Sequence, residues 1–156
     1  MKTRLALILP LLLAACAGTS EISRDQPPGF VRNAREVVEQ ADWSNPRVVE
    51  IDMVNHAFRP DEITVRRGEP VRLIFRNPSS SDHTFVAKEF FRGVAVRQLV
   101  TPQGIQTGNW VEKIAVAEGT TQELWFVPTR FGAFQAECTV PGHALLGMKA
   151  VVNVVE

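Results

Sequence analysis

Cysteine and histidine are both scarce in this sequence, with two cysteines and three histidines in 156 residues. Two cysteines exclude a disulfide-rich scaffold, and three histidines exclude any site that needs many imidazoles. A basic excess is also missing. Lys+Arg and Asp+Glu both number 17, so the surplus that a phosphate-neutralising protein carries is absent and no nucleic-acid partner is expected. There is no Cys-x-x-Cys-His for c-type haem, no P-loop and no serine-nucleophile motif. What remains is an ordinary globular composition, 45% apolar and 22% charged, with room for one domain.

The N-terminus reads as removable. Lys2 and Arg4 precede an apolar run, Leu5 to Leu13, broken only by Pro10. The run is too short to span a bilayer but suits the core of a signal peptide. Leu13-Ala14-Ala15-Cys16 follows, and it resembles the lipobox of bacterial lipoproteins, in which the cysteine is acylated and becomes the new N-terminus. The resemblance implies a signal peptide over 1–15, a lipid anchor at Cys16 and an exported protein held at a membrane. That is the periplasmic side in a Gram-negative host, and Ala17 in place of an acidic residue points to the outer membrane. Cleavage removes two bases and no acids. If Cys16 carries lipid, Cys138 is the sole remaining thiol, and in an oxidising compartment it needs burial or a metal.

Residues 17–28 are small, polar and Pro-ended, which predicts a flexible spacer. Phe30, Ala34, Val37, Val38 and Ala41 follow helical spacing, so a short amphipathic helix packed on the domain is expected over 30–41. The segment 16–46 is therefore tether and helix, and 47–156 is the domain. From Arg47 the pattern turns to strands: 47–53, 62–65, 71–75, 84–87, 111–117, 121–127, 131–138 and 148–155, each bounded by turn residues. Some eight short strands, with little helix between them, predict an all-β sandwich. Residues 89–110 read as a less regular excursion holding a turn of helix.

One imidazole, His83, opens an early strand. Cys138, His143 and Met148 then share the last loop. Two imidazoles and a thiolate in a plane, with a distant thioether, are the donors of a blue-copper site for one ion, soft enough for Cu(I) and acceptable to Cu(II). Alternation along Phe134, Ala136 and Cys138 points these three inward. Pro141-Gly142 turns the chain so that His143 returns toward the same point. His56, after Asn55, shows no partner in the sequence and is expected to be a surface or structural residue. Trp110 and Trp125 are read as core or edge packing.

Cys-x4-His-x4-Met with an upstream histidine resembles the cupredoxins, including the plastocyanin and azurin relatives. The stretch Phe58 to Val65, Gly68-Glu69-Pro70-Val71 and Asn77-Pro78 are similar to the first strands of small bacterial members. The likeness covers roughly 47–156. It implies a Greek-key β-sandwich, with His83, Cys138, His143 and Met148 as copper ligands. Many members carry Asn after the first ligand histidine, where this chain has Thr84, and an aromatic two residues before the ligand cysteine, where it has Ala136. A dinuclear copper centre would need a second cysteine in the loop. A multicopper oxidase would need His beside Cys138, but Glu137 and Thr139 flank it.

The expected role is single-electron transfer between redox partners that dock near His143, over a patch containing Leu145 and Leu146. The alternative is copper storage, delivery or resistance with the same ligands. Four protein ligands leave no open position for a substrate, so an enzyme is not expected.

Overall fold

The structure, a computed structural model, describes residues 20–156. The expected signal peptide over 1–15 and the expected anchor at Cys16 lie outside the described residues. Twelve strands and two short helices follow one another: β1 (Glu21–Ser23), α1 (Ala34–Gln40), β2 (Arg47–Val54), β3 (Ala57–Arg59), β4 (Glu62–Arg66), β5 (Val71–Arg76), β6 (His83–Phe85), α2 (Lys88–Phe91), β7 (Val94–Thr101), β8 (Gly104–Gln106), β9 (Trp110–Val116), β10 (Thr121–Pro128), β11 (Gly132–Glu137) and β12 (Lys149–Val155). The all-β sandwich is present, and strands stand at each of the eight expected places.

One layer is a sheet in the order β3-β2-β5-β10-β7-β8. The other consists of two ladders, β1-β9-β6 and β11-β12-β4, joined by an antiparallel bridge between Val86 and Glu137. That bridge matters for function, because it brings the end of the His83 strand beside the end of the Cys138 strand. Alternation builds the core between the layers. Ile63 and Val65 of β4, Leu124 and Phe126 of β10, and Ala150, Val152 and Val154 of β12 all point in. Phe85 sits among Phe58, Phe75 and Phe91, at ring separations of 5.3, 5.1 and 6.2 Å. It lies two residues from His83 on the same face of β6, and both are buried. Burying such a ring contributes about 2–3 kcal/mol, so β6 is pinned by its phenylalanine while its histidine faces the site.

Two expectations change. The spacer expected over 17–28 is partly built into the domain, because Glu21–Ser23 pairs with β9 and the Trp110 indole N–H donates to the Asp25 carbonyl at 2.7 Å. Gly108 permits this seat, since a Cβ there would lie 2.6 Å from both the Ser23 carbonyl oxygen and the Ile22 side chain. The excursion over 89–110 contains α2 and β8, but also β7, an eight-residue strand paired with both β10 and β8. Its periodicity is hidden for two reasons. The register skips Arg97 between Trp125↔Gln98 and Phe126↔Val96, which is a bulge. In addition, α1 covers the outer face of β7 and β10, where Ala34, Ala95 and Val127 form a second apolar cluster with Val37, Val38 and Trp43 packed against it. A strand covered on both faces reads as a continuous apolar run.

The helix itself packs on the domain as expected but is shorter than 30–41. Phe30 leaves the helical face and stacks on Trp110 instead, at 5.0 Å. Trp125 lies outside the core, where its ring is 6.1 Å from that of Trp43 and the Arg97 guanidinium lies over both, at 5.9 and 4.6 Å.

Candidate metal centre

His83 opens β6, and Cys138 follows β11 directly. The loop from Cys138 to Met148 is folded on itself by backbone hydrogen bonds. The His143 N–H donates to the Val140 carbonyl at 3.1 Å, and the Met148 N–H to the His143 carbonyl at 3.0 Å. The Cys138 N–H donates to the Met148 carbonyl at 3.1 Å, so the two ends of the loop meet. Gly142 and Gly147 take φ of 84° and 99°, the left-handed turns that glycine adopts without strain.

This folding brings three predicted donors together. The Nδ1 atoms of His83 and His143 are 3.2 Å apart, and Cys138 Sγ is 3.6 Å from the one on His143 and 4.0 Å from the one on His83. The centre of a triangle with these sides is about 2.1 Å from each corner, which is a metal–nitrogen or metal–sulfur bond length. Cys138 and Met148 are fully buried, and His83 and His143 are 1% and 8% exposed. Met148 is thus at the site by its backbone and buried with it, as the sequence spacing requires.

The surroundings prepare the donors. Asn77 is buried, and its amide nitrogen donates to the carbonyls of Ser81 and Val116 at 2.8 and 2.9 Å. Its Oδ1 can only accept, and it takes the Ser79 N–H at 3.1 Å and the Ser79 hydroxyl at 2.6 Å. With its proton so committed, Ser79 Oγ accepts from His83 Nε2–H at 2.9 Å. The chain Asn77–Ser79–His83 therefore selects the Nε2–H tautomer and leaves the Nδ1 lone pair aimed at the triangle, the way metal-binding histidines are oriented.

Thr84 directly follows His83 on β6. Its N–H donates to Cys138 Sγ at 3.4 Å, and its hydroxyl oxygen accepts the Thr139 N–H at 2.7 Å. A single residue, by its backbone N–H and its hydroxyl, thus ties β6 to the ligand loop and helps surround the sulfur.

Burial lowers the pKa of His83 most, the imidazoles of His143 and His56 add to this, and the Asp82 carboxylate opposes it. Burial, then His56, lowers that of His143. Neutral imidazoles are the metal-binding form, so the donor set fits a copper ion. The same shifts predict a pH dependence for the copper-free protein. Near the ordinary histidine pKa the unfolded chain binds protons that the folded site does not. Stability is therefore full above about pH 6.5 and is lost as pH falls below it. Urea midpoints between pH 7 and 5.5 should fall, and the fall should shrink in His83→Asn. An equal slope in that variant would refute this origin.

Two features were missed in the sequence. In the sequence Asn77 marks a strand end and part of the family likeness, and Ser79 only a loop, with nothing to show their hold on His83. His56 is exposed as expected but has a partner, because its ring meets that of His143 edge-on at 4.5 Å and 88°. The signal for its position was Val54-Asn55-His56-Ala57, a two-residue gap between strands that reads as a hairpin. The exposed edge expected at His143 is therefore small, while Leu145 and Leu146 are 94% and 67% exposed.

Residues 30–148 match the family of the cupredoxin-like domain. The chain belongs to the cupredoxin family. The copper-resistant cuproprotein CopI of Rubrivivax gelatinosus is 32% identical to this cupredoxin over 148 residues, 90% of this chain and 81% of that one. Reduced auracyanin from Roseiflexus castenholzii superposes with a TM-score of 0.52 at 21% identity, covering 70% of this chain and 97% of that one. A multicopper oxidase from Pseudomonas thermotolerans gives 0.60 at 14% identity over 74% of this chain but 31% of its own. At these identities the two structures show a shared fold. The cupredoxin fold and its histidine, cysteine and methionine donors suit one copper ion.

Proposed function

We propose that His83, Cys138, His143 and Met148 hold one copper ion in a type 1 site, and that this site passes single electrons in the service of copper tolerance. The observation that carries the reading is the buried triangle of two Nδ1 atoms and Sγ, assembled to bond length. Copper, when bound, supplies one-electron redox chemistry. The chain supplies a thiolate for electronic coupling, two oriented imidazoles, a thioether and a dry enclosure. A rigid donor set acceptable to both oxidation states keeps reorganisation small. Four protein ligands leave no substrate position, so the protein is read as a carrier, not an enzyme. Copper tolerance is supported by the likeness to CopI along most of both chains.

Electrons leave beside His143, where Leu145 and Leu146 form an uncharged exposed patch suited to brief docking of a redox protein. Leu145→Lys should slow electron exchange with that partner roughly tenfold, while leaving stability within about 0.5 kcal/mol and the visible spectrum unchanged. Unchanged exchange rates would remove the docking surface. Export and a lipid anchor at Cys16 would place this exchange beside a membrane. Among the described residues no helix is long and apolar enough to cross one. Mass spectrometry of the membrane fraction, with and without Cys16→Ser, tests the anchor.

A second reading, storage or delivery of the ion without an electron partner, is favoured by one observation, the exposed imidazole of His56 beside the buried set. One experiment separates the two. Copper is added to the copper-free protein, the visible and paramagnetic resonance spectra are recorded, and exchange with labelled copper is then followed. An intense thiolate band with slow exchange supports electron transfer. The same band with fast exchange supports handling, and no band refutes the site.

A further inference from the structure

The hairpin between β2 and β3 turns on Asn55 and His56, with Val54 paired to Ala57. Both central residues have positive φ, 46° and 63°. This is the tight turn that matches strand twist, and its second place is normally glycine. A histidine held there carries backbone strain that a glycine would not. A residue kept in an unfavourable conformation points to what its side chain does. Here the side chain stands against the ring of His143, which is itself at the metal triangle.

His56 is not part of that triangle. The mutually close donors are His83, Cys138 and His143. It is also the one imidazole of the three that is exposed. The other donors are sealed, and His143 keeps only a narrow solvent edge. A hydrated copper ion coming from solvent must therefore begin to exchange water for protein ligands outside the enclosure. The exposed nitrogen donor found beside the enclosure is His56.

We propose that His56 is the capture ligand through which copper reaches and leaves the buried site. The inference rests on the reading of His83, Cys138, His143 and Met148 as the copper ligands. A water leaves the ion as a His56 nitrogen binds it. The bonds to His56 and to the remaining waters then break as bonds form to the two Nδ1 atoms, to Sγ and to the Met148 thioether, and the Cys138 thiol proton passes to solvent. Copper keeps its oxidation state throughout. His56 holds the ion in transit and not in the final complex, so it speeds loading and release by the same factor and leaves affinity unchanged.

The test uses the full chain stripped of copper. Cu(II) in excess is mixed rapidly with wild type, His56→Gly and His56→Asn, and growth of the thiolate band is timed. Release to a chelator is timed in the same proteins. Glycine relieves the turn and asparagine tolerates it, so both variants fold. Loading and release should each slow about tenfold, with the final band and dissociation constant unaltered. Equal rates in the variants overturn the proposal. A displaced final band also overturns it, by making His56 part of the finished site. A wild-type protein with no thiolate band would instead overturn the ligand reading on which it rests.

Discussion

Cys138→Ser should abolish the intense visible band of the copper-loaded protein completely, and should leave a weak spectrum of nitrogen and oxygen ligation. The band requires a copper–thiolate bond, and Cys138 Sγ is the one thiol among the donors that converge at the site. Serine is close in size and can still accept the Thr84 N–H that now points at the sulfur. The fold should therefore survive, at a cost on the order of 1 kcal/mol for placing a hydroxyl in a fully buried position. Retention of Cu(I) should fall most, because the soft ligand is the one removed. Circular dichroism and thermal melting report the fold, while absorption and paramagnetic resonance report the site. A surviving band in a folded variant would mean that sulfur reaches copper from elsewhere in the chain, and the triangle would not be the metal centre.

The ligand residues were legible because three of them share one short loop at the end of an alternating strand. In such a segment sequence spacing and spatial proximity coincide. His83 was found through the donor logic of copper and the resemblance, and the Val86–Glu137 bridge is what makes the two strand ends neighbours. Illegible features were those whose meaning depends on contacts made across the fold. β7 is masked by a bulge at Arg97 and by the helix on its outer face. β1 is three residues at a sheet edge, too short for its one apolar residue, Ile22, which packs against the core, to show a periodicity. His56 and His143 belong to different turns, and no local rule joins them. Alternation thus predicts layers well, while partners are decided by strand order.

Ser79→Ala should weaken copper binding by about 10–100-fold, and should cost the copper-free protein on the order of 1 kcal/mol for the buried His83 Nε2–H it leaves unpaired. Ser79 is half-buried, and its hydroxyl oxygen accepts a hydrogen bond from His83 Nε2–H while its O–H donates to Asn77 Oδ1. Without that oxygen, His83 loses the partner that fixes its tautomer and ring angle, so Nδ1 is no longer held toward the triangle. Ser79→Thr keeps the hydroxyl and should restore affinity, and Ser80→Ala, at an exposed neighbour, should do nothing. Asn77→Ala should act on both levels. It takes a donor from the Val116 carbonyl and one of two from the Ser81 carbonyl, which Ser79 Oγ also reaches at 3.1 Å, and it removes the acceptor that fixes Ser79. Val116 is buried while Ser81 is exposed, and leaving one buried polar group unpaired costs about 1–3 kcal/mol, so stability should drop by about 2 kcal/mol together with affinity. Denaturant unfolding of the copper-free variants, set beside competition titrations for copper, distinguishes the two effects. If Ser79→Ala bound copper as tightly as wild type, His83 would be oriented by its packing beside Phe85 alone, and the Asn77–Ser79 chain would be a loop brace with no hold on the metal.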